Sequence, residues 1–401
     1  MKKRVLVQHT IMTKKLTSLV LALVMCLSLG VPAFATTEDD EIVESVLNEV
    51  LARYTSDYSI SDAAATIANK TINEDGSTTY QINASFNRTL LASDALDIPA
   101  IQGMLQAKEE LSDPEQIAVA ESYIAGRIAD LNDNYIGVAQ RTNGTYYVTR
   151  APYSLIALDN EAIPLGEVTV QSPFEDGESA PLATIGPRSV SEQVQSGESL
   201  IADVAECANN MVMRAAPHNE AIKKYDRVAA REYAQEWSCN LGISTKHASC
   251  HNAPKYEFYD GDKGSDCANF VSQCFHEGGL ETDDTWYINS TAWITTGNRG
   301  GGLRQWIVNN DLFFHTTNVN KAFAGSLVND LKYIGGEWVN GGHVGIVDQN
   351  DLTTQTLCAH ANCRSSVDIT GWTYTDKSGV KHKTDYYVPY WDSHSNQWVT
   401  G

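Results

Sequence analysis

The stretch Gly264–Gly278, GSDCANFVSQCFHEG, constrains the fold more than any other part of the chain. Ser265 and Asp266 are good helix N-caps, Ala268, Phe270, Val271, Cys274 and Phe275 recur at helical spacing, and Gly278-Gly279 ends the run. Cys267 then falls in the first turn. There the unpaired backbone N–H groups and the positive end of the helix dipole stabilise a thiolate, lowering a free thiol's pKa of about 8.5, and the same groups could hold a tetrahedral oxyanion. The plainer reading is a buried or disulfide-bonded cysteine.

The N-terminus carries Lys2, Lys3, Arg4, Lys14 and Lys15, an apolar run from about Leu16 to Val31, and then Ala33-Phe34-Ala35. This pattern predicts a secretory signal peptide over residues 1–35, cleaved after Ala35, and a protein that is secreted, extracellular or associated with a cell wall. Met25 before Cys26 lacks the small residue a lipid-anchor signal needs. No later run approaches the roughly 20 apolar residues of a membrane span, so no stable membrane insertion is expected. Five of the 29 basic residues and none of the 50 acidic ones precede residue 36, leaving 24 against 50, a formal charge of −26. Such a chain repels phosphate, which argues against nucleic-acid binding.

Of 8 cysteines, Cys26 lies in the leader and seven remain, an odd number. If Cys267 is free, Cys239 with Cys250 and Cys358 with Cys363 are close enough to staple local loops, while Cys207 and Cys274 have no obvious local partner. No C-x-x-C pair is present, which disfavours a zinc ribbon or thioredoxin-like site.

Along the chain, residues 41–53 read as an amphipathic helix from the pattern Ile42, Val43, Val46, Leu47, Val50 and Leu51. A strand is expected over Thr78–Leu91 after an Asp75-Gly76 turn, and a helix over Ile117–Leu131 started by Asp113-Pro114. Two short strands, Ile136–Gln140 and Tyr146–Arg150, flank Asn143-Gly144, a hairpin signal. The reading is a small α+β domain over residues 36–172 with no catalytic constellation, a Ser/Pro/Gly/Glu-rich linker over 173–198, and a second domain over 199–401. In the second, helices are expected at Leu200–Arg214 and Ala221–Glu236. Trp286, Tyr287 and Trp293 follow as core or substrate platform.

Gly341-Gly342-His343-Val344-Gly345-Ile346-Val347 reads as a strand beginning on a histidine, with a second strand at Thr354–Ala361. A symmetric hairpin about the Asp351–Leu352 bond would set His343 opposite His360, with Asn362 further along the same face. These are a nucleophilic cysteine's usual companions: His343 as general base for Cys267, and His360 or Asn362 orienting its imidazole. Asp260, Asp262 and Asp266 fail as an EF-hand, and a zinc site from His343, His360 and Cys358 needs awkward geometry, so no metal or organic cofactor is expected.

The segments Tyr225–Ala234, Asp266-Cys267-Ala268-Asn269-Phe270-Val271-Ser272-Gln273, Trp286-Tyr287, Ser290–Trp293 and Gly342–Val347 together resemble the putative amidase domain family, over roughly residues 222–390. The resemblance implies a papain-like, NlpC-like α+β fold, with a nucleophile helix packed on an antiparallel sheet, and relatives among cell-wall peptidases and CHAP amidases. It implies Cys267 as nucleophile, His343 as base, His360 or Asn362 as third member, Tyr256 or Tyr259 as oxyanion helper, and Asp266, Trp286, Tyr287 and Trp293 toward the substrate. Peptidoglycan or another peptide amide is the substrate so implied, and a monomer is expected. Relatives usually carry Gly-Asp before the histidine strand, where this chain has Asn329-Asp330-Leu331. A non-catalytic surface module on the same fold is the competing reading.

Overall fold

The computed structural model describes residues 37–152, 165–174, 178–211, 219–239, 250–252, 254–259, 266–297, 301–360, 363–394 and 397–399. The expected signal peptide, Ser265, the Asp260/Asp262 pair and Asn362 lie outside them. Among the described residues the fold is α+β, with eight α-helices and a mixed 12-stranded sheet.

Helix α1, Glu38–Ala52, starts at a reciprocal cap. The Thr37 hydroxyl accepts from the Asp40 N–H, and the Asp40 carboxylate accepts from the Thr37 N–H. Strands β1, Tyr58–Ile72, and β2, Thr78–Leu90, form a long antiparallel pair around Gly76, whose φ of 79° suits glycine. Helices α2, Pro99–Glu109, and α3, Pro114–Asn134, follow; Asp113 caps α3 by accepting from the N–H groups of Glu115 and Gln116.

Strand β3, Gln140–Arg150, corrects the expected hairpin. It runs unbroken through Asn143-Gly144 and pairs with β2 from Thr78–Arg150 to Arg88–Gln140. A Cβ on Gly144 would sit 2.4 Å from the Tyr146 hydroxyl, so this glycine makes room for a crossing ring rather than a turn.

The expected linker is also corrected. Strands β4, Thr169–Gln171, and β5, Ser179–Pro181, pair with each other, and β4 pairs with β3. Helix α4, Val190–Met211, then begins well inside the Ser/Pro/Gly-rich stretch. It packs on α2 so closely that Cβ atoms on Gly103 and Gly197 would lie 2.1 and 2.0 Å from backbone oxygens of the facing helix. Small residues on both helices make a contact that composition alone reads as flexibility.

The remaining elements are α5, Arg227–Glu236; α6, Asp266–Glu277; α7, Thr291–Ile294; α8, Leu303–Asn309; and strands β6, Phe313–Thr316, β7, Leu327–Ile334, β8, Glu337–Asn350, β9, Gln355–Ala359, β10, Arg364–Asp368, β11, Thr373–Thr375, and β12, Lys381–Pro389. The helix expected over Ala221–Glu236 is split, because Asp226 accepts from the N–H groups of Val228 and Ala229 and so starts a new helix.

The main strand order is β1-β2-β3-β10-β9-β8-β7-β12-β11. The parallel contact of β3 with β10 joins the two expected domains into one sheet. One hydrophobic core crosses the expected boundary, running from Ile42, Phe86 and Ile101 to Val328, Val347 and Leu357. Buried polar contacts cross it too: Tyr54 donates to Asp368 at 2.5 Å, Tyr58 to Asp351 at 2.8 Å and Arg88 to Gln349 at 3.0 Å. A second core, holding Phe270, Val271, Trp286, Trp293, Val344 and Ile346, lies against the other face of β7–β9. With both faces covered, these strands lose the polar/apolar alternation of a half-exposed sheet.

Candidate active site

Helix α6 starts at Asp266 and is buried along most of its length, so Cys267 lies in its first turn with 1% exposure. Cys274 and Cys358 are buried free thiols in the same core; burial, first of all, pushes the Cys274 thiol well up. The expected Cys239–Cys250 bridge is present with an S–S distance of 2.00 Å. The expected Cys358–Cys363 bridge is not: both are free, and the Cys363 sulfur instead lies 2.9 Å from Cys239 Sγ and accepts from the Cys239 N–H.

The hairpin β8–β9 is offset from its expected register by one residue. Ile346 faces Cys358 and Val347 faces Leu357. Continuing that pairing sets Val344, not His343, opposite His360, and a one-residue offset turns the side chain to the other face. His343 and His360 are therefore not a facing pair.

The direction of His343 is set on its other side. Between β7 and β8, Asn329 pairs with Val344 and Leu331 with Asn340, so Asp330 alone spans Gly341, Gly342 and His343. This bulge is built by glycines: Gly342 has φ 92°, and a Cβ on Gly341 would sit 1.9 Å from Asp330 Oδ2. His343 Nδ1 lies 3.3 Å from the Val344 carbonyl oxygen, while Nε2 is buried and makes no tight hydrogen bond among the described residues. Burial disfavours the charged imidazole, yet Cys267, by charge and by hydrogen bonding, and then Asp330 hold the His343 pKa above the ordinary histidine value.

Asp330 is fully buried and accepts from His382 Nδ1 at 3.1 Å; His382 Nε2 reaches Asp376 at 3.3 Å. Burial raises the Asp330 pKa, with His382 and His343 pulling the other way. The sequence reading missed Asp330 and His382. The Gly341-Gly342 pair before His343 was the available signal, since adjacent glycines in a strand mark a bulge.

His360 belongs elsewhere. Its Nδ1 is 2.9 Å from Asp266 Oδ2, its Nε2 is 2.7 Å from the Trp237 carbonyl oxygen, and its ring stacks on Phe270 at 3.9 Å. Asp266 is itself buried; burial works to raise its pKa, but the hydrogen bond and charge of His360 bring it below the usual value. Asp266 thus anchors the helix start rather than facing a cleft.

Trp286 and Trp293 are fully buried and stacked on each other at 4.9 Å, with Trp286 also on Trp306 at 4.3 Å. The Trp293 indole donates to Asn269 and the Trp286 indole to Ser272, so both tryptophans are core that braces α6. Of the expected platform, Tyr287 is exposed, at 52%. Tyr256 is buried with its hydroxyl bonded to Glu277, which spends it as an oxyanion donor. Tyr259 precedes helix α6, its N–H donating to Asp266 Oδ1 at 3.4 Å.

Residues 224–400 are the segment that holds these side chains. They match the family model described as Putative amidase domain, the family their motifs resemble. No curated protein and no solved structure matches the chain. Among the described residues, no helix is long and apolar enough to cross a membrane.

Proposed function

We propose that the protein is a secreted, cysteine-dependent amidase or endopeptidase on a papain-like, NlpC-like fold, acting on amide bonds of peptidoglycan stem peptides. The observation that carries this reading is Cys267 in the first turn of a buried helix, with His343 as the neighbour it acts on. Nδ1 of His343 has the Val344 carbonyl as acceptor for its proton, which leaves Nε2 to take the proton of Cys267.

The Cys267 thiolate attacks the amide carbonyl carbon. The Cys267 N–H and the Tyr259 hydroxyl hold the oxyanion, and His343 passes its proton to the leaving amine. Water deprotonated by His343 then releases the acyl group and restores the thiol. Asp330 takes the third position here in place of His360 or Asn362: its carboxylate stabilises the imidazolium by charge, and His382 holds it in place. These steps draw on no metal or organic cofactor.

Incubation with purified peptidoglycan, followed by mass spectrometry of the soluble products, tests the reading. New fragments that vanish with Cys267→Ala support it; fragments that persist in that variant refute it. The acidic surface is poorly suited to anionic wall polymers, so a panel of free peptide amides belongs in the same assay.

The 1% exposure of Cys267 favours a second reading, a non-catalytic module in which this thiol is structural. Alkylation separates the two: a nucleophile paired with His343 reacts quickly near neutral pH, whereas a structural buried thiol does not.

A further inference from the structure

We propose that His251, Asp266 and His360 form a binding site for one divalent transition-metal ion, with zinc as the reference ion, at the start of the helix that carries Cys267. The three donor atoms come from separate parts of the chain and lie within 4.8 Å of one another. His360 Nδ1 is 2.9 Å and His251 Nδ1 is 3.9 Å from the same oxygen, Asp266 Oδ2.

The hydrogen-bond geometry at His360 suits a ligand. Its Nε2 is 2.7 Å from the Trp237 carbonyl oxygen, which can only accept, so that nitrogen carries a proton and donates. In the neutral ring Nδ1 then turns a lone pair toward the Asp266 carboxylate. At 2.9 Å either a proton on Nδ1 or a metal cation can lie between that nitrogen and the carboxylate. His251 Nδ1, 3.9 Å from that oxygen, is the third donor of the cluster. A single cation among the three donors would be held by all of them.

The surroundings have the form metal ligands need. A ligating histidine usually donates its other N–H to a backbone carbonyl or carboxylate, as His360 does to Trp237. The other Asp266 oxygen, Oδ1, accepts from Asn269 Nδ2 at 3.0 Å and from the Tyr259 N–H at 3.4 Å, which orients Oδ2 toward the histidines. Phe270 stacks on the His360 ring and Phe258 packs 4.4 Å from the His251 ring, so both imidazoles are fixed by apolar neighbours. Two imidazoles and one carboxylate suit zinc, cobalt or nickel better than magnesium or calcium, which prefer all-oxygen shells. The converging sulfurs of Cys239, Cys250 and Cys363 do not compete, because two of them are joined as a disulfide.

An ion here would tie the residue before Cys267 to the end of β9 and to the segment after the disulfide. The proposal stands apart from amide hydrolysis and is tested without an activity assay.

The full-length protein, unreduced and freed of metal by chelation, is titrated with Zn²⁺ by calorimetry and with Co²⁺ by visible absorption. The expected result is saturable uptake of one ion per chain. His251→Ala and His360→Ala should each weaken it at least tenfold, as loss of one ligand does. His315→Ala, at an exposed histidine, should bind as the parent does. Circular dichroism establishes that each variant is folded; His251 lies on the partly exposed side of the cluster, so its variant carries the test if His360→Ala fails to fold. Absence of saturable uptake overturns the proposal, as does unchanged affinity in folded His251→Ala. Sulfur-to-cobalt charge-transfer bands overturn it as well, by placing the ion on cysteines.

Discussion

Arg227 Nη2 lies 2.7 Å from Asp130 Oδ1, and its Nε lies 2.5 Å from Asp392 Oδ1, all three side chains being buried. One guanidinium therefore bridges helix α3 to the capped start of α5 and to the C-terminal end of the chain. The first part of the chain is in this way built into the structural support of residues 224–400.

Replacing Arg227 by methionine takes a buried counter-charge from Asp130 and Asp392, while Arg127 stays 3.5 Å from Asp130, and breaking a buried ion pair in this way costs about 3–5 kcal/mol. Denaturant unfolding should show a lowered midpoint in a single transition that fluorescence and circular dichroism report alike. Two separated transitions would mean that the parts fold independently.

Cys267→Ala should lower turnover by roughly a thousandfold or more, the scale on which loss of a catalytic nucleophile acts. The melting temperature should change little. Retained turnover would remove Cys267 from the mechanism.

Asp330→Asn keeps the shape of the carboxylate and removes its charge. Because Asp330 helps to hold the His343 pKa above the ordinary value, the substitution lets that pKa fall. Activity that depends on the imidazolium is lost as pH rises through the folded-state pKa, so the alkaline limb of kcat/KM should move to lower pH. The rate at neutral pH should drop roughly tenfold or more, in line with proton-transfer contributions. An alkaline limb that stays in place would confine Asp330 to a structural role.

Gly341→Ala would set a Cβ 1.9 Å from Asp330 Oδ2. Relief requires moving the carboxylate or the bulge, at about 1–3 kcal/mol for a forced overpacking. Both thermal stability and turnover should fall. Gly342→Ala should lower both as well, because φ 92° disfavours any side chain. A thermal melt and a rate assay on each variant check this, and parent-like values in both would show that the bulge tolerates a side chain.

The Cys363 sulfur, 2.9 Å from Cys239 Sγ, is placed to take over when Cys250 is absent. Peptide mapping of Cys250→Ala after oxidation should recover a Cys239–Cys363 bridge. A free Cys239 in that variant would contradict the placement.

Much of the local structure was legible in the sequence because its signals act over a few residues. Asp113 before Pro114 starts a helix, the apolar spacing of Ala268 to Phe275 makes one, and Gly278-Gly279 stops it, whatever surrounds them. Cys267 in a first turn follows from that alone. His343 on a strand follows from its own neighbours.

Only the tertiary structure decided how these pieces meet. The run from Val344 to Val347 is buried on both faces, so its sequence has no alternation to set the register, and the offset of one residue that parts His343 from His360 could not be read from it. Asn143-Gly144 satisfies a hairpin rule but lies opposite β2, whose ladder of hydrogen bonds outweighs a local turn preference. The Ser/Pro/Gly-rich stretch before Leu200 looks like a linker until α2 supplies the close-packed surface that makes helix α4. Asp330 reaches His343, and His251 reaches Asp266, through folding rather than through spacing. The helix that carries Cys267 was written in its own residues; the charges set around it were chosen by the sheet.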